Sequence, residues 1–292
     1  MESWEDIIIK IRKDPQYADL VEKAYFDADL ELNVQRFLSS KEYHETLNLI
    51  TKYSGESRNL RILDVGAGNG ISSIAFAKQG YTVSVVEPDK SNTVGSGAIN
   101  ILKEKFQLDN LTVFDSFGEN LPFEDKVFDI VYIRQAMHHA ADLNKFVGEA
   151  ARTLKNGGLF LTIRDHVIYD AADKAWFLKE HPLHKFYGGE NAFTELEYKD
   201  AMHRAGLKVI QTLRYYDNLI NYFPITEEEY SKELDAYQAK LRKALRGRIG
   251  MLASINTIFK AYIKFTESRN GSPLDEKHVP GRMYTFIAKK VV

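Results

Sequence analysis

Apolar positions near the start of the chain recur at helical spacing: Tyr25, Leu30, Val34, Phe37 and Leu38, then Leu47, Leu49, Ile50 and Tyr53 ahead of Gly55. This predicts helices from residue 1 to about 58. The texture then changes. Leu60–Val65 is a short apolar run stopped by Gly66-Ala67-Gly68-Asn69-Gly70, and Ile71–Gln79 reads as a helix closed by Gly80. Tyr81–Val86 is a β-branched strand ending in Glu87-Pro88-Asp89, with a helix over roughly 91–106 behind it. Leu111–Phe114 and Phe128–Ile133 read as the third and fourth strands, a helix follows at about 142–154, and Gly157-Gly158 opens a fifth strand, Leu159–Ile163. Strands alternating with helices imply right-handed crossovers and a parallel sheet covered on both faces.

After the fifth strand the alternation stalls. Residues 165–193 hold scattered aromatics, histidines and Gly188-Gly189, and read as a loop or small cap. A helix at about 194–205 ends at Gly206, and Leu207–Leu213 is the sixth strand. Helical periodicity returns at Tyr230, Leu234, Tyr237, Leu241 and Leu245, then at Leu252, Ile255, Ile258, Phe259 and Tyr262, before the break at Asn270-Gly271-Ser272-Pro273. Met283–Ala288 reads as the closing strand. The helical insertion before it, about 214–281, is the unusual element.

Composition narrows the class. Of 292 residues, 44% are hydrophobic and 27% charged, which excludes wholesale disorder. A net charge of -2 supplies no general field for nucleic acid, so none is expected as a partner. With no cysteine there are no disulfides, thiolate metal sites or thiol nucleophiles. The opening residues lack the basic region of a signal peptide, and no apolar stretch reaches membrane-spanning length. The expectation is a cytoplasmic protein without a membrane span.

Glycines at a strand-to-helix turn permit positive φ and let a ligand approach the backbone, while the helix behind them offers free N–H groups. Here the spacing is G-x-G-x-G, with Asp64 two residues ahead of Gly66. Glu87 closes the second strand, where its carboxylate can accept both hydroxyls of a ribose.

With these features the chain resembles the class I S-adenosylmethionine-dependent methyltransferases, in the texture of the small-molecule enzymes of ubiquinone biosynthesis. Asp64–Gly70 looks like that family's first motif and Val86–Asp89 its acidic second. Glu119-Asn120-Leu121-Pro122-Phe123 with Phe128–Val131, then Met137-His138-His139 and Leu154–Gly158, match later segments in order. The resemblance implies an α/β fold: a Rossmann-like, seven-stranded, mostly parallel sheet of order 3-2-1-4-5-7-6, its last strand antiparallel. Residues 1–58 would form an N-terminal helical cap and 59–292 the cofactor-binding domain, with the insertion completing the cap. The cofactor would be S-adenosyl-L-methionine and the partner a small-molecule methyl acceptor.

Carried over residue by residue, the resemblance places Asp64, Gly66, Ala67, Gly68, Asn69 and Gly70 toward the methionine part of the cofactor, Glu87 on the ribose and Pro88 near the adenine. Phe117 stands where the family carries an acid that reads the adenine, with Asp115 offset by two, so Phe117 and Gly118 are the candidates there. Gln135 would line the methionine end. Methyl transfer needs alignment of nucleophile, methyl carbon and sulfur, and at most one base. His138 or His139 is the candidate base, the alternative being a histidine that holds the helix start. Two adjacent histidines are not expected to face the same way, and no carboxylate at ligand spacing accompanies them, so no metal is expected. Tyr25, Arg36, Arg164, His166, His184 and Tyr187 are the candidate acceptor contacts, a salt bridge being the other reading of Arg164. The apolar face of the insertion suits either a lid or a homodimer interface. Two rivals stand: a nicotinamide-dependent oxidoreductase, and a non-catalytic protein that binds S-adenosylmethionine.

Overall fold

The structure, a computed structural model, describes residues 3–181, 183–184, 190–222, 225–270, 272 and 275–291. The apolar runs become one sheet. β1 (Arg61–Val65), β2 (Thr82–Val86), β3 (Leu111–Phe114) and β4 (Phe128–Arg134) run parallel, and β5 (Leu154–Ile168) joins β4 in the same sense. β6 (Phe193–Thr194) makes a two-residue parallel pairing with the end of β5. β7 (Leu207–Leu213) and β8 (Met283–Lys290) complete the sheet, with β8 antiparallel between β5 and β7. The order is β3-β2-β1-β4-β5-β8-β7. This is the expected topology, its last two numbers moved by one because β6 is too short to show a period.

The central strands are buried on both faces, which is why they read as continuous apolar runs. Ile62, Leu63 and Ile130 through Ile133 are all wholly buried. Asp64 is the polar exception in β1, equally buried. The helices ahead of β6 are α1 (Trp4–Lys13), α2 (Ala18–Lys23), α3 (Leu30–Ser39), α4 (Lys41–Ser54), α5 (Ile71–Lys78), α6 (Ser96–Phe106), α7 (Leu143–Thr153) and α8 (Ala171–Glu180), with α1 and α2 packed around Val94 in a cluster of their own. Every residue of α5 from Ile71 to Ala77 is buried, so this helix has no solvent face.

The structure departs from the expectation at three places. The stretch 165–193 contains α8, capped by the Asp170 side chain accepting from the Asp173 N–H. Its only buried residue is Phe177, so no apolar stripe announces it. Arg282, wholly buried, ties α8 to β8 by donating to the Asp173 carboxylate (2.8 Å) and to the Val167 carbonyl (3.1 Å). β5 is longer than its apolar core, running from Leu154 through Gly157 at φ +72°, with a register shift opposite Phe128 and Ile130. Tyr25 is not helical; it occupies the turn between α2 and α3 at φ +59°.

The chain divides into two compact units, Met1–Asn221 with Gly281–Val292, and Tyr222–Pro280. In the first, Val34, Phe37, Tyr43 and Ile50 of α3 and α4 share one core with Phe76, Ile130 and Leu161. The first 58 residues therefore pack as part of the sheet unit. Asn221 marks its edge: the buried side chain donates to the Leu213 and Arg214 carbonyls (2.8 and 3.0 Å) and accepts from the Thr285 hydroxyl (2.7 Å). The second unit is a pair of helices, Glu227–Ile249 and Asn256–Asn270, joined by a turn at Gly250–Ser254. Leu241, Leu245, Ala253 and Phe259 form its own small core. No helix among the described residues is long and apolar enough to cross a membrane.

Candidate active site

The turn after β1 is made by backbone. Gly66 and Gly70 hold φ +70° and +78°, and a Cβ on either would lie 2.6 Å from a neighbour, Ala136 Cβ or Ile99 Cγ1. Both positive φ and lack of space demand glycine. From there α5 begins at Ile71, its first N–H groups directed back at the turn. The buried Glu87 at the end of β2 accepts from the Gly68 N–H (2.7 Å) and the Asp89 N–H (2.9 Å). Burial outweighs these bonds and pushes its carboxyl up to about 7. Asp64 Oδ2 accepts from the hydroxyls of Ser72 (2.8 Å) and Ser73 (2.5 Å), whereas Oδ1 is buried without a hydrogen-bond partner among the described residues. Burial lifts this carboxyl to about 6. Asn69 Nδ2 donates to the Tyr25 carbonyl at 2.7 Å, fastening the N-terminal segment to the turn. Ala67 is half-buried and Pro88 exposed.

Phe117 lies beyond the end of β3 with its ring 66% exposed, while Gly118 is buried against the ring of Phe146, which leaves no room for a Cβ. Asp115 is engaged elsewhere, by the Ser96 hydroxyl (2.7 Å) and Lys90 (3.4 Å).

Just after β4 and at a register shift within β5 stand two further non-glycine residues in the left-handed region, Gln135 (φ +50°) and Arg164 (φ +60°). Such geometry costs on the order of 1–3 kcal/mol each and persists only where the surroundings over-determine it. The surroundings here are an ion cluster absent from the sequence reading. Arg134 grips Glu42 of α4 in bidentate fashion (2.6 and 3.0 Å), and Arg164 Nη1 reaches the same carboxylate at 3.3 Å. Burial opposes the Glu42 charge, but the two guanidinium groups outweigh it and hold its carboxyl below the usual range. Arg164 is thus held in a salt bridge, its partner being Glu42 of α4. Arg36 stands 3.6 Å from Asp27.

The histidines after β4 form a second cluster. His138 is buried, with Nδ1 3.1 Å from Asp165 Oδ1 and Nε2 3.1 Å from Glu190 Oε2. Burial works against its charge, yet the bonds to Asp165 and Glu190 prevail and raise it to about 9. With both ring nitrogens engaged, His138 offers no lone pair to a substrate proton. His139, 40% exposed, directs Nδ1 to the same Glu190 oxygen at 3.7 Å. Two expectations fail here. Adjacent histidines do converge, because Met137–His139 form a 3-10 turn that leaves their rings 4.1 Å apart. A carboxylate does accompany them: Glu190, delivered from beyond α8 by the Ala192 N–H bond to the His138 carbonyl (3.4 Å) and by Asn191 to the Ala140 carbonyl (3.3 Å). His166 lies within this cluster, its Nδ1 2.6 Å from the Gly281 carbonyl; burial, then the charges of His138 and His181, push its pKa well down. His184 is half-buried, its N–H donating to His181 Nδ1 at 3.2 Å. Tyr187 lies outside the described residues.

The order of the sheet reverses between β1 and β4, and the glycine turn opens at that switch point with the buried acid of β2 beside it. This is where an open α/β sheet binds a nucleotide-type cofactor. Residues 63–162 match the family described as the methyltransferase domain. The chain is 36% identical over 122 residues to the uncharacterized methyltransferase YcgJ of Bacillus subtilis, covering 42% of this chain and 47% of that protein. It is 26% identical to a ubiquinone biosynthesis O-methyltransferase of Rhizobium leguminosarum, over 63% of this chain and 71% of the relative. The chain spans about half the length of the first curated relatives it matches. Among solved structures, the geranyl diphosphate C-methyltransferase of Streptomyces coelicolor shares the fold at a TM-score of 0.57 and 16% identity, over 97% of this chain and 87% of that one. Residues 63–162 thus carry a methyltransferase domain, within a sheet of the order expected for the S-adenosylmethionine-dependent enzymes. Its residues fit that cofactor: a turn with glycines at 66, 68 and 70 in the left-handed region, an unsatisfied buried acceptor on Asp64 and the Glu87 carboxylate are what an ammonium and a ribose diol require.

Proposed function

We propose that the chain transfers a methyl group from S-adenosylmethionine to a small-molecule acceptor by in-line displacement. The carrying observation is the pairing of the glycine turn with the buried Glu87 at the switch point, joined by the bond from the Gly68 N–H. The cofactor supplies the sulfonium-bound methyl group; the protein aligns it and excludes water. Asp64, Gly66, Ala67, Gly68, Asn69, Gly70 and Gln135 surround the methionine part in this reading. Glu87 accepts from the ribose hydroxyls, and Pro88, Phe117 and Gly118 frame the adenine. Tyr25 and Arg36, brought to the turn by Asn69 and α3, face the acceptor with His184. Arg164 and His166 shape the site through Glu42 and Gly281. Of the two candidate bases, His139 is the one with solvent access.

A small acceptor agrees with the printed names of the relatives in ubiquinone biosynthesis. The test is ligand stabilisation followed by turnover. S-adenosylhomocysteine should raise the melting temperature and NADH should not. A metabolite screen scored by S-adenosylhomocysteine release should then name the acceptor. Stabilisation by NADH alone would replace this reading with the oxidoreductase one.

A further inference from the structure

We propose that His138, His139 and Glu190 form a binding site for a divalent transition-metal ion, with Asp165 behind it as the group that orients His138. One ligand atom from each of the three lies within 4.8 Å of the others. An ion with bonds of about 2.0–2.2 Å to nitrogen and oxygen holds its ligand atoms about 3.0–3.5 Å apart. The 3.1 Å from His138 Nε2 to Glu190 Oε2 lies inside that range, and the 3.7 Å from His139 Nδ1 lies just above it.

The second shell is already built. Asp165 is wholly buried and accepts from the His138 backbone N–H at 3.1 Å as well as facing Nδ1 of the same ring. A carboxylate there fixes the proton on Nδ1 and aims the Nε2 lone pair forward, the usual arrangement behind a metal-bound imidazole. Its other oxygen, Oδ2, is buried without a hydrogen-bond partner among the described residues. Two buried carboxylates thus flank the His138 ring, and Glu190 also faces His139 and His181, each at 3.7 Å. A divalent ion would take the place of the Nε2 proton, which leaves to solvent.

Ligand type selects the ion. Two imidazoles and one carboxylate suit zinc, iron, cobalt or manganese rather than calcium or magnesium, and such a set leaves coordination positions open. The exposed side of His139 gives access to them. An open position takes water or an oxygen of the acceptor; this last use rests on the methyl-transfer reading, whereas the metal site does not.

The experiment strips the untagged full-length chain with a chelator and titrates it with Co²⁺ alone, then Zn²⁺. One Co²⁺ per chain, with visible ligand-field absorption that Zn²⁺ abolishes, is expected. Asp165→Asn should weaken binding about 10–100-fold, and Glu190→Gln and His139→Ala should abolish the absorption band. His139→Ala removes a partly exposed ring, so it reports on the site even where the buried Glu190→Gln fails to fold. Absence of stoichiometric Co²⁺ in the wild type, or an unchanged band in folded His139→Ala, would overturn the proposal. S-adenosylhomocysteine binding measured in parallel reads the methyltransferase assignment separately.

Discussion

The turns after β1 and after β4 stand at the ends of neighbouring strands and are built in opposite ways. The first is backbone: glycines at positive φ, a helix N-terminus and one acid, all within a short reach of chain. The second is side chain: His138 and His139 from the turn itself, Asp165 from β5 and Glu190 from beyond α8. A backbone site accepts a ligand whose shape is constant, and it changes little without that ligand. A side-chain site concentrates charge, and its protons or ions decide what it does. The second has its foundation in Glu42, which holds Arg134 beside Gln135 and Arg164 in β5.

Breaking that foundation should have the largest effect. Glu42→Ala leaves two guanidinium groups buried without their carboxylate, and removing one partner of such a cluster costs about 3–5 kcal/mol. Urea denaturation should show that loss. A loss below 1 kcal/mol would mean that water reaches the cluster. Next, Glu87→Ala should weaken S-adenosylhomocysteine binding by about 1.5–3 kcal/mol for each ribose hydrogen bond removed. Calorimetry would separate the two turns, since Asp165→Asn should leave that affinity within about twofold, a margin of roughly 0.4 kcal/mol.

The comparison sharpens with pH. Glu87 is raised from 4.5 to about 7 in the folded protein, so the native state binds more protons than the unfolded one. Its contribution to stability is fully present below 4.5 and is lost as pH rises through about 7. Asp64 acts in the same direction, between 3.8 and about 6. Glu87→Gln should therefore flatten the fall in melting temperature across that window and stabilise the ligand-free protein at pH 8, while weakening cofactor binding. A steeper fall in the variant would refute the burial of this acid. The smallest effect is expected from replacing Tyr222–Pro280 by a short linker. The cofactor candidates and their core lie in the other unit, so S-adenosylhomocysteine affinity should stay within about threefold, or roughly 0.7 kcal/mol. A tenfold loss would show that the insertion contributes to that site.

The sequence by itself determined the alternation of strands and helices and the glycine turn, while the strand order was what the family resemblance implied. Alternating apolar runs admit few topologies, and a turn that needs positive φ without a Cβ must show its glycines in a row. It also placed Glu87, because an acid at a strand end is read from its neighbours. Helix α8 was not legible, since Phe177 alone is buried and no period forms. Neither was the link of Glu42 to Arg134, 92 residues apart, nor the arrival of Glu190 beside the histidine pair. These contacts depend on where crossovers deliver side chains to the strand ends, and no local pattern records that. Local backbone geometry is written in residue type; the pairing of buried charges is decided only when the sheet brings distant segments together.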